Sequence, residues 1–332
     1  MKRIGVLTSG GDAPGMNAFV RAAVRRALGY GLEVIGIERG YQGLIEGDVR
    51  QMDVRSVGGI LDRAGTLLET ARSEEFMTRE GHRKAVRTLN EEGIDGLIVL
   101  GGDGSLRGAV TLQEAGIRVV GAPGTIDNDL PGTEMTIGVD SALNVAVQAI
   151  DMIRATASSL RRAFAVEVMG RHCGYLALMA GIACGAEMIC IPEVPFELAD
   201  VARTLDEAYL RGKAHCIIVV AEGARYDAQT IRQYLEDRQE EHGFEVQATI
   251  LGHIQRGGTP TAYERILATR LGCAAVDCLR DGQTGVMVGV QGHDIVRVPL
   301  AEVITGKKTL DLSLHALAQA LENPQAYRQG RL

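Results

Sequence analysis

Short apolar runs alternate with longer segments of helical spacing along most of the chain. The runs have the length and the β-branched content of buried strands. Strands are predicted at Ile4–Thr8, Glu33–Glu38, Gly96–Leu100, Arg118–Gly121, Phe164–Met169, Met188–Pro192, His215–Ala221, Glu245–Leu251 and Gly285–Val290. Helices are predicted at segments that include Met16–Leu28, Thr78–Glu91, Ser141–Ala155, Ala199–Arg211 and Tyr263–Leu279. This alternation predicts an α/β fold in which helices cover both faces of a parallel sheet.

The length and composition indicate an ordinary globular protein with more than one domain. The chain has 332 residues, enough for two such sheets, with 46% hydrophobic and 23% charged residues. No Pro/Ser-rich linker marks a boundary, so we expect domains that share crossing segments. The net charge of −7 and the absence of Trp argue against nucleic-acid and anionic-membrane partners.

Two features indicate a cytoplasmic location. The apolar run Met1–Leu7 is too short for a signal peptide, and no later run reaches the roughly 18 apolar residues of a membrane span. The six cysteines form no Cys-x-x-Cys pair and lie mostly in apolar stretches, so we expect buried free thiols. They are Cys173, Cys184, Cys190, Cys216, Cys273 and Cys278.

Glycine is the unusual component of the chain, with 42 residues, nearly twice the usual share of about 7%. Ligands of parallel sheets bind at the carboxyl ends of the strands, where such residues form turns. The first of these turns is Thr8–Gly15, whose adjacent glycines and following helix N-terminus suit a phosphate. A tight turn without a ligand is the alternative. The segment has neither the Walker A nor the dinucleotide-binding pattern.

The second turn is Gly101–Ser105, which follows a fully apolar strand. Its Asp103 offers the hard oxygen ligand that Mg²⁺ takes together with phosphate oxygens. Several kinase families carry Gly-Gly-Asp-Gly, including kinases of NAD and of lipids, so this turn indicates nucleotide phosphates and leaves the acceptor open.

The third turn, Pro123–Asp129, carries two carboxylates with Thr and Asn between them. One aspartate can accept a proton from an attacking alcohol while the other holds a metal ion or orients the first. An Asx-rich turn capped by its own side chains is the alternative. Two later turns, Met169–Gly174 and Gly252–Gly258, place Arg171 and Arg256 beside glycines. An exposed guanidinium there can bind phosphate in bidentate fashion, although an arginine in a loop is more often a solvated charge.

With these five turns in order, the chain from Ile4 to about Gly292 resembles the ATP-dependent 6-phosphofructokinases of the compact bacterial type. The resemblance implies transfer of the γ-phosphoryl group of Mg·ATP to the 1-hydroxyl of fructose 6-phosphate. It also implies two doubly wound, mainly parallel-sheet (Rossmann-like) domains with the active site in the cleft between them. Residues 1–138 with about 255–305 would form the ATP-binding domain. Residues 139–254 with about 306–332 would form the fructose 6-phosphate-binding domain.

The resemblance also implies roles for individual residues. Asp127 would be the general base, and Asp103 would hold Mg²⁺ with Asp129 as its helper. The residues implied at the nucleotide are Gly11, Arg72, Ser73, Gly102, Gly104 and Ser105. Thr125, Arg171 and Arg72 would act on the transferring phosphoryl group. The residues implied at the sugar are Met169, Gly170 and Glu222.

In the family, the 6-phosphate of the sugar meets His253 and Arg256 together with two arginines of a neighbouring subunit. Arg162 matches the first of these arginines, whereas the second falls on Gln247. A neutral amide in place of a charged phosphate ligand costs about 1–3 kcal/mol, so we expect weaker binding of fructose 6-phosphate than in relatives with arginine there.

Two glycines bear on the phosphoryl donor. Pyrophosphate-using relatives carry Asp where Gly104 stands and Lys where Gly124 stands, so the sequence favours ATP. A pyrophosphate-dependent enzyme and a catalytically weak regulatory homologue are the alternatives. The second is disfavoured because Asp103, Asp127 and Arg171 are all present.

The family is homotetrameric, and its effector pocket takes ADP or phosphoenolpyruvate. The matching positions here are Arg21, Arg25, Arg55, Arg154, Gly185, Glu187, Arg211, Lys213 and His215. Arg55 stands beside Val54, which occupies the position of a family arginine. The resemblance therefore implies allosteric control of a homotetramer.

Overall fold

A computed structural model describes residues 1–322, apart from the side chains of residues 240 and 241. The chain divides into two compact units. The first unit consists of Met1–Ser141 and Arg256–Lys308, and the second of Ala142–Gln255 and the segment from Thr309 onwards. The chain therefore passes between the units three times, without a separate linker. The predicted second domain runs to residue 332, and residues 323–332 lie outside the described residues.

Each strand predicted from the apolar runs is present, together with short strands that were not predicted. The strands are β1 (Arg3–Ser9), β2 (Glu33–Ile37), β3 (Val49–Met52), β4 (Gly96–Gly101), β5 (Val119–Thr125), β6 (Ile137–Gly138), β7 (Arg162–Val168), β8 (Met188–Cys190), β9 (Cys216–Ala221), β10 (Glu245–Ile250), β11 (Val286–Gln291) and β12 (Asp294–Pro299).

The predicted helices correspond to α1, α3, α5, α7 and α10. The helices are α1 (Met16–Gly29), α2 (Gly40–Glu46), α3 (Arg79–Glu91), α4 (Asp103–Glu114), α5 (Val139–Leu160), α6 (Tyr175–Cys184), α7 (Leu198–Leu210), α8 (Ala228–Glu236), α9 (Gln239–His242), α10 (Ala262–Arg280), α11 (Leu300–Thr305) and α12 (Ser313–Glu322). Helix α3 begins one residue later than predicted because Thr78 is its N-cap, with its side chain accepting a hydrogen bond from Gly81 N.

The sheet of the first unit has the strand order β12-β11-β5-β4-β1-β2-β3, with β6 paired to β5. The inner strands are parallel, and the antiparallel pairs β2–β3 and β11–β12 lie at the two edges. Helices α2, α3, α4 and α11 share one apolar core with this sheet. Helices α1 and α10 pack together closely. Glycine at position 272 permits this contact, since a Cβ there would lie 2.6 Å from the carbonyl oxygen of Phe19.

The sheet of the second unit has the order β10-β7-β9-β8, with every pair parallel. Helices α7 and α8 cover one face through an apolar core that includes Leu205, Ile218 and Ile231. Helix α6 packs against the other face, where a Cβ at Gly181 would lie 2.5 Å from Ile189. The parallel strands of both sheets are therefore held in place by helices packed against them.

Two predicted turns are shorter than expected. Pro123–Thr125 completes β5 rather than standing in a loop, because Pro123 pairs with Gly101 and Thr125 pairs with Gly138. The residues from Asp103 onwards already belong to α4.

The six cysteines are free thiols, four of them buried and two half-buried. Within residues 1–322, no helix combines the length and apolar character needed to cross a membrane.

Candidate active site

The loop after β1 is fixed by hydrogen bonds to its backbone. Thr70 Oγ1 donates to Gly10 O at 2.7 Å, and Arg256 Nη1 donates to Asp12 O at 2.6 Å. A Cβ at Gly11 would lie 2.9 Å from Arg256 Nη1, so glycine leaves room for the guanidinium. Burial raises the pKa of the Asp12 carboxyl, and the Arg256 charge opposes this in part. The result is a preformed turn with a cation against it, which suits an anionic ligand.

The loops after β1 and β4 approach each other closely. A Cβ at Gly101 would lie 2.5 Å from Ser9 O, and 2.6 Å from Ser105 Oγ. Ser105 is buried, and its carbonyl oxygen accepts a hydrogen bond from the Tyr41 hydroxyl at 2.6 Å. A Cβ at Gly104, by contrast, would meet no atom within 4 Å. Packing therefore explains the glycine at 101 and leaves the one at 104 unexplained.

Asp103, the predicted Mg²⁺ ligand, is the first residue of α4, and Gly102 is its N-cap without a side-chain cap. The Asp103 side chain is 40% exposed, and its Oδ2 accepts a hydrogen bond from Arg107 Nε at 2.9 Å. No group of three His, Cys, Asp or Glu side chains that could hold a metal ion occurs in the part of the chain that the structure describes. Mg²⁺ bound with phosphates needs only one or two protein carboxylates, so an exposed Asp103 fits this ion.

The segment that carries Arg72 and Ser73 runs beside the first loop. Thr8 Oγ1 donates to Glu69 O at 2.7 Å, which anchors the segment to the last residues of β1. Ser73 Oγ accepts a hydrogen bond from Phe76 N at 3.1 Å and so caps a single helical turn. Arg72 is exposed. The predicted nucleotide residues of the first unit thus lie at or next to the ends of β1 and β4.

The turn after β5 carries the predicted general base. Thr125 ends the strand, and its Oγ1 accepts a hydrogen bond from Asp127 N at 3.1 Å. Asp127 is only 4% exposed, while Asp129 is half-buried. A Cβ at Gly102 would lie 3.5 Å from Thr125 Cβ, so this turn adjoins the loop after β4. The structure therefore brings three of the predicted turns together at neighbouring strand ends.

Asn128 separates these two aspartates and adopts a left-handed conformation, with φ of 53°. Its Nδ2 donates to Glu134 O, and its Oδ1 accepts from Thr136 N, both at 3.1 Å. Lys308 Nζ donates to Asn128 Oδ1 and to Glu134 O, each at 2.9 Å. Sequence reasoning missed Lys308, which is 180 residues away from Asn128 and has no local signal that marks it.

A buried carboxyl group holds the start of α5, directly after β6, whose Gly138 pairs with Thr125 at the end of β5. Glu264 Oε2 accepts hydrogen bonds from Ser141 N at 3.1 Å and Ser141 Oγ at 3.2 Å. A Cβ at Gly15 would lie 2.8 Å from Glu264 Cγ. Burial raises the pKa of Glu264 from 4.5 to about 7, although the N–H groups of Gly138 and Ser141 lower it in part. No local signal in the sequence marks this residue, because a glutamate in an amphipathic helix is usually exposed.

The turn after β7 belongs to the second unit. Arg171 has a left-handed backbone with φ of 52°, and Gly170 before it has φ of 144°. Glu222 Oε1 accepts hydrogen bonds from Gly170 N at 3.0 Å and from Arg171 N at 2.6 Å. Glu222 N in turn donates to Val168 O at 2.9 Å. The carboxylate predicted to bind sugar hydroxyls therefore holds the turn that presents Arg171, with Met169 as its half-buried first residue.

The residues predicted for the 6-phosphate fall into separate groups. Arg162 Nη2 pairs with Glu245 Oε2 at 2.7 Å, and Gln247 Nε2 donates to Glu245 Oε1 at 3.1 Å. His253 is exposed in the second unit. Arg256 belongs to the first unit, where its guanidinium contacts the loop after β1. The structure thus joins Arg162 and Gln247 through one carboxylate.

Among the predicted effector residues, Glu187 and Lys213 form a bridge in the second unit. Lys213 Nζ contacts Glu187 Oε1 at 2.8 Å and Glu322 Oε2 at 2.7 Å. Glu187 Oε2 accepts a hydrogen bond from Ile217 N at 2.6 Å. The other effector positions of this unit are Arg154, Gly185, Arg211 and His215. Those of the first unit are Arg21, Arg25 and Arg55.

Comparison with known proteins agrees with this arrangement of turns. The profile of the phosphofructokinase family matches residues 3–279. The chain belongs to the phosphofructokinase family. The resemblance carried by the five turns is thereby confirmed.

Curated relatives within the family match over nearly their whole length. A protein of Halalkalibacterium halodurans named ATP-dependent 6-phosphofructokinase is 52% identical over 321 residues, which cover 97% of this chain and 99% of that protein. A protein of the same name from Thermotoga neapolitana is 53% identical over 322 residues, 97% of this chain and 100% of the relative.

Solved structures confirm the α/β fold with mainly parallel sheets. The phosphofructokinase of Saccharomyces cerevisiae superposes with a TM-score of 0.84 at 41% identity, covering 97% of this chain and 47% of the yeast chain. A pyrophosphate-dependent phosphofructokinase from Marinobacter aquaeolei also gives a TM-score of 0.84, at 22% identity over 94% of this chain and 86% of the other. At that identity the second likeness shows the fold alone.

Proposed function

We propose that the chain transfers the γ-phosphoryl group of ATP to the 1-hydroxyl of fructose 6-phosphate, giving ADP and fructose 1,6-bisphosphate. The names of relatives more than half identical support this reaction. The observation that carries it is the Asp127 carboxylate, 4% exposed and held at the end of β5. A buried, oriented carboxylate beside two phosphate-type loops is what deprotonation of an alcohol nucleophile requires.

In the proposed step, the sugar O1 attacks the γ-phosphorus while its proton moves to Asp127. The bond from the γ-phosphorus to the oxygen of ADP breaks, and the electron pair stays with ADP. Thr125 and Arg171 would stabilise charge on the transferring group. The transition state of such transfers is loose, so most of the catalysis comes from positioning and charge stabilisation rather than from a strong base.

The nucleotide would lie on the first unit. Its phosphates would meet Gly11 and Arg72, and the N-terminus of α4 would add a partial positive charge near Asp103. Ser73, Gly102, Gly104 and Ser105 would line the same site. Asp103, with Asp129 as helper, would hold Mg²⁺, which neutralises phosphate charge when it is bound.

The open space at Gly104 supports ATP as the donor. Packing does not require glycine there, since a Cβ would meet nothing within 4 Å. An aspartate side chain would instead take up space next to the loop that would hold the nucleotide. Gly124 gives weaker support, because a Cβ there would lie 2.8 Å from Leu100 Cδ1 and packing alone explains the glycine.

The sugar would bind through the second unit. Met169, Gly170 and Glu222 would form its wall. The 6-phosphate would take His253 and Arg256 together with Arg162 and Gln247 of a neighbouring subunit in a homotetramer. Sedimentation velocity tests the assembly, and a monomer at micromolar concentration would contradict it.

We also propose that ADP or phosphoenolpyruvate controls the enzyme through the Glu187–Lys213 pair and the other effector positions. Lys213 pairs with two carboxylates in the structure, so an anionic effector would have to displace at least one of them to bind it. Lys213→Gln should remove the response of the rate to added effector. Arg203→Gln, on the exposed side of α7, is the control, and an unchanged response in both variants would overturn the effector assignment.

The reaction itself is tested with purified protein, Mg²⁺ and fructose 6-phosphate, with either ATP or pyrophosphate as donor. Bisphosphate should form with ATP only, and Asp127→Ser should lower kcat by about 10²–10⁴-fold. Asp294→Ser, at the exposed start of β12, is the matched control and should leave kcat unchanged. Turnover with pyrophosphate alone would overturn the donor assignment, and an active Asp127→Ser variant would overturn the assignment of the base.

A further inference from the structure

The turn after β5, which carries the proposed general base, contains a residue in an unfavourable backbone conformation. Asn128, with φ of 53°, stands between Asp127 and Asp129. Asparagine visits this left-handed region more readily than most residues, yet it still needs the surrounding structure to hold it there. The conformation reverses the chain within one residue, so it decides the directions in which the two carboxylates leave the turn.

Three polar groups hold Asn128 in place, and one of them is charged. The amide of Asn128 exchanges hydrogen bonds with Glu134 O and Thr136 N. The Lys308 ammonium bonds to the same Asn128 Oδ1 and to the same Glu134 O, each at 2.9 Å. Lys308 therefore bridges the two sides of the turn, Asn128 on one side and Glu134 on the other. Asn128 is 1% exposed, so little water is available to replace these bonds.

We propose that Lys308 is a positioning residue for phosphoryl transfer, whose ammonium holds Asn128 in the left-handed conformation and thereby aims Asp127 and Asp129. The inference rests on the proposed function, because it assumes that these carboxylates carry the reaction. As a positioning residue, Lys308 would touch neither the sugar nor the nucleotide. Its effect should appear in kcat rather than in the binding of either substrate, since the turn matters most when the proton moves.

The neighbouring Lys307 supplies a matched control. It is exposed, carries the same charge and lies one residue away in the chain. Lys308→Met should lower kcat about tenfold, the equivalent of about 1.4 kcal/mol, because a charge-assisted contact to the turn is lost. The KM values for ATP and fructose 6-phosphate should stay within about twofold. Lys307→Met should change neither constant, and equal effects of the two substitutions would overturn the proposal.

A second pair of variants separates conformational control from general stability. Glycine adopts the left-handed conformation without help, so Asn128→Gly should make Lys308 less important. In that background Lys308→Met should lower kcat by less than about threefold. A full tenfold loss in the glycine background would show that Lys308 does not act through residue 128.

Hydrogen exchange gives a readout that does not depend on activity. The Thr136 N–H donates to Asn128 Oδ1, so peptides covering residues 125–136 should exchange faster in Lys308→Met than in Lys307→Met. Unchanged exchange in both would overturn the inference even if the enzyme is a phosphofructokinase as proposed. Faster exchange with an active Asp127→Ser variant would instead place the failure in the proposed base and retain the positioning of the turn by Lys308.

Discussion

The turns after β5 and β7 share an uncommon backbone feature and hold it by different means. Each follows the carboxyl end of a parallel strand, and each contains a left-handed residue that is not glycine. Asn128 has φ of 53° and Arg171 has φ of 52°. The first is buried within a set of neutral and charged hydrogen-bond partners. The second is exposed, and the exposed carboxylate of Glu222 accepts hydrogen bonds from its backbone N–H and from that of Gly170.

The difference lies in why each residue type is present. Asparagine is among the few residues that tolerate this region, and its side-chain amide also bonds the turn, so backbone preference and hydrogen bonding together explain Asn128. Arginine has no such preference, and glycine would fit its backbone better. Arg171 is therefore present for what its guanidinium does. A buried turn suits a base that must be aimed before reaction, and an exposed turn suits a cation that adjusts to a moving charge.

The largest effect is expected when Arg171 is replaced by glycine. Arg171→Gly should lower kcat by about 10²–10³-fold, since a charge on the transferring group loses its partner. The same substitution should leave the free energy of unfolding unchanged or raise it by up to about 1 kcal/mol, because the left-handed backbone is relaxed. Steady-state kinetics and urea titration measure the two quantities.

Asn128→Gly gives the counterpart in the buried turn. It should lower the free energy of unfolding by about 1–3 kcal/mol, since Thr136 N and Lys308 Nζ lose an acceptor where water is scarce. If Arg171→Gly and Asn128→Gly change the free energy of unfolding with the same sign and size, the two turns do not differ in how they are held.

The alternation of apolar runs predicted the fold class and most of the parallel strands, because buried strands need continuous apolar sequence. It missed β3 and β12, whose polar residues face solvent at the two edges of the first sheet. It also assigned Pro123–Thr125 to a loop, because Pro and Gly normally interrupt strands, whereas pairing with β4 and β6 extends the strand here.

The predicted site residues at strand ends could be found because glycine and charge mark them locally. The residues that hold these turns in place could not be predicted from the sequence. Lys308 and Glu264 act across 180 and 123 residues of sequence, and each resembles an ordinary surface residue when read in its own segment. Glu222 was predicted at the sugar, but nothing local shows that its Oε1 also accepts two backbone N–H groups. Predicting such supports requires knowing which strands are neighbours.

The second largest effect concerns Glu264, which supports the buried turn. Its pKa is raised from 4.5 to about 7, so the folded state keeps the proton to higher pH than the unfolded state does. The stability this proton contributes is present below about pH 4.5 and is lost as the pH rises to about 7. Between these pH values the unfolding free energy of the wild type should fall by about 3 kcal/mol because of Glu264, and Glu264→Gln should remove that fall.

The measurement is chemical denaturation of wild type and variant at several pH values, compared by difference so that other groups cancel. Glu302→Gln, at an exposed position of α11, is the control and should follow the wild type. If the difference in unfolding free energy between wild type and Glu264→Gln does not change between pH 5 and pH 7, the argument that burial raises the pKa of Glu264 is wrong.

The exposed turn should respond more mildly to loss of its support. Glu222→Gln keeps an oxygen that can accept both backbone N–H groups, so kcat should fall less than about threefold. Glu222→Ala removes the acceptor, and kcat should fall about tenfold as Arg171 loses its fixed conformation. Kinetics of both variants, with KM for fructose 6-phosphate, test this role. Equal losses in the two variants would mean that the charge of Glu222 acts directly on the sugar instead.

The smallest effect is expected at the start of β7, where the exposed carboxylate of Glu245 binds its neighbours. Glu245 binds Arg162 at 2.7 Å and Gln247 at 3.1 Å, so an arginine at 247 would compete for Glu245 before it could reach a phosphate. A freely available arginine would be worth about 1–3 kcal/mol to sugar-phosphate binding. Gln247→Arg should therefore lower KM for fructose 6-phosphate only about fivefold, near the low end of that range. In a Glu245→Gln background the same substitution should gain more, because the competing charge is gone. An unchanged KM in both backgrounds would remove Gln247 from the sugar-phosphate site, and an equal gain in both would show that Glu245 does not restrain its neighbours.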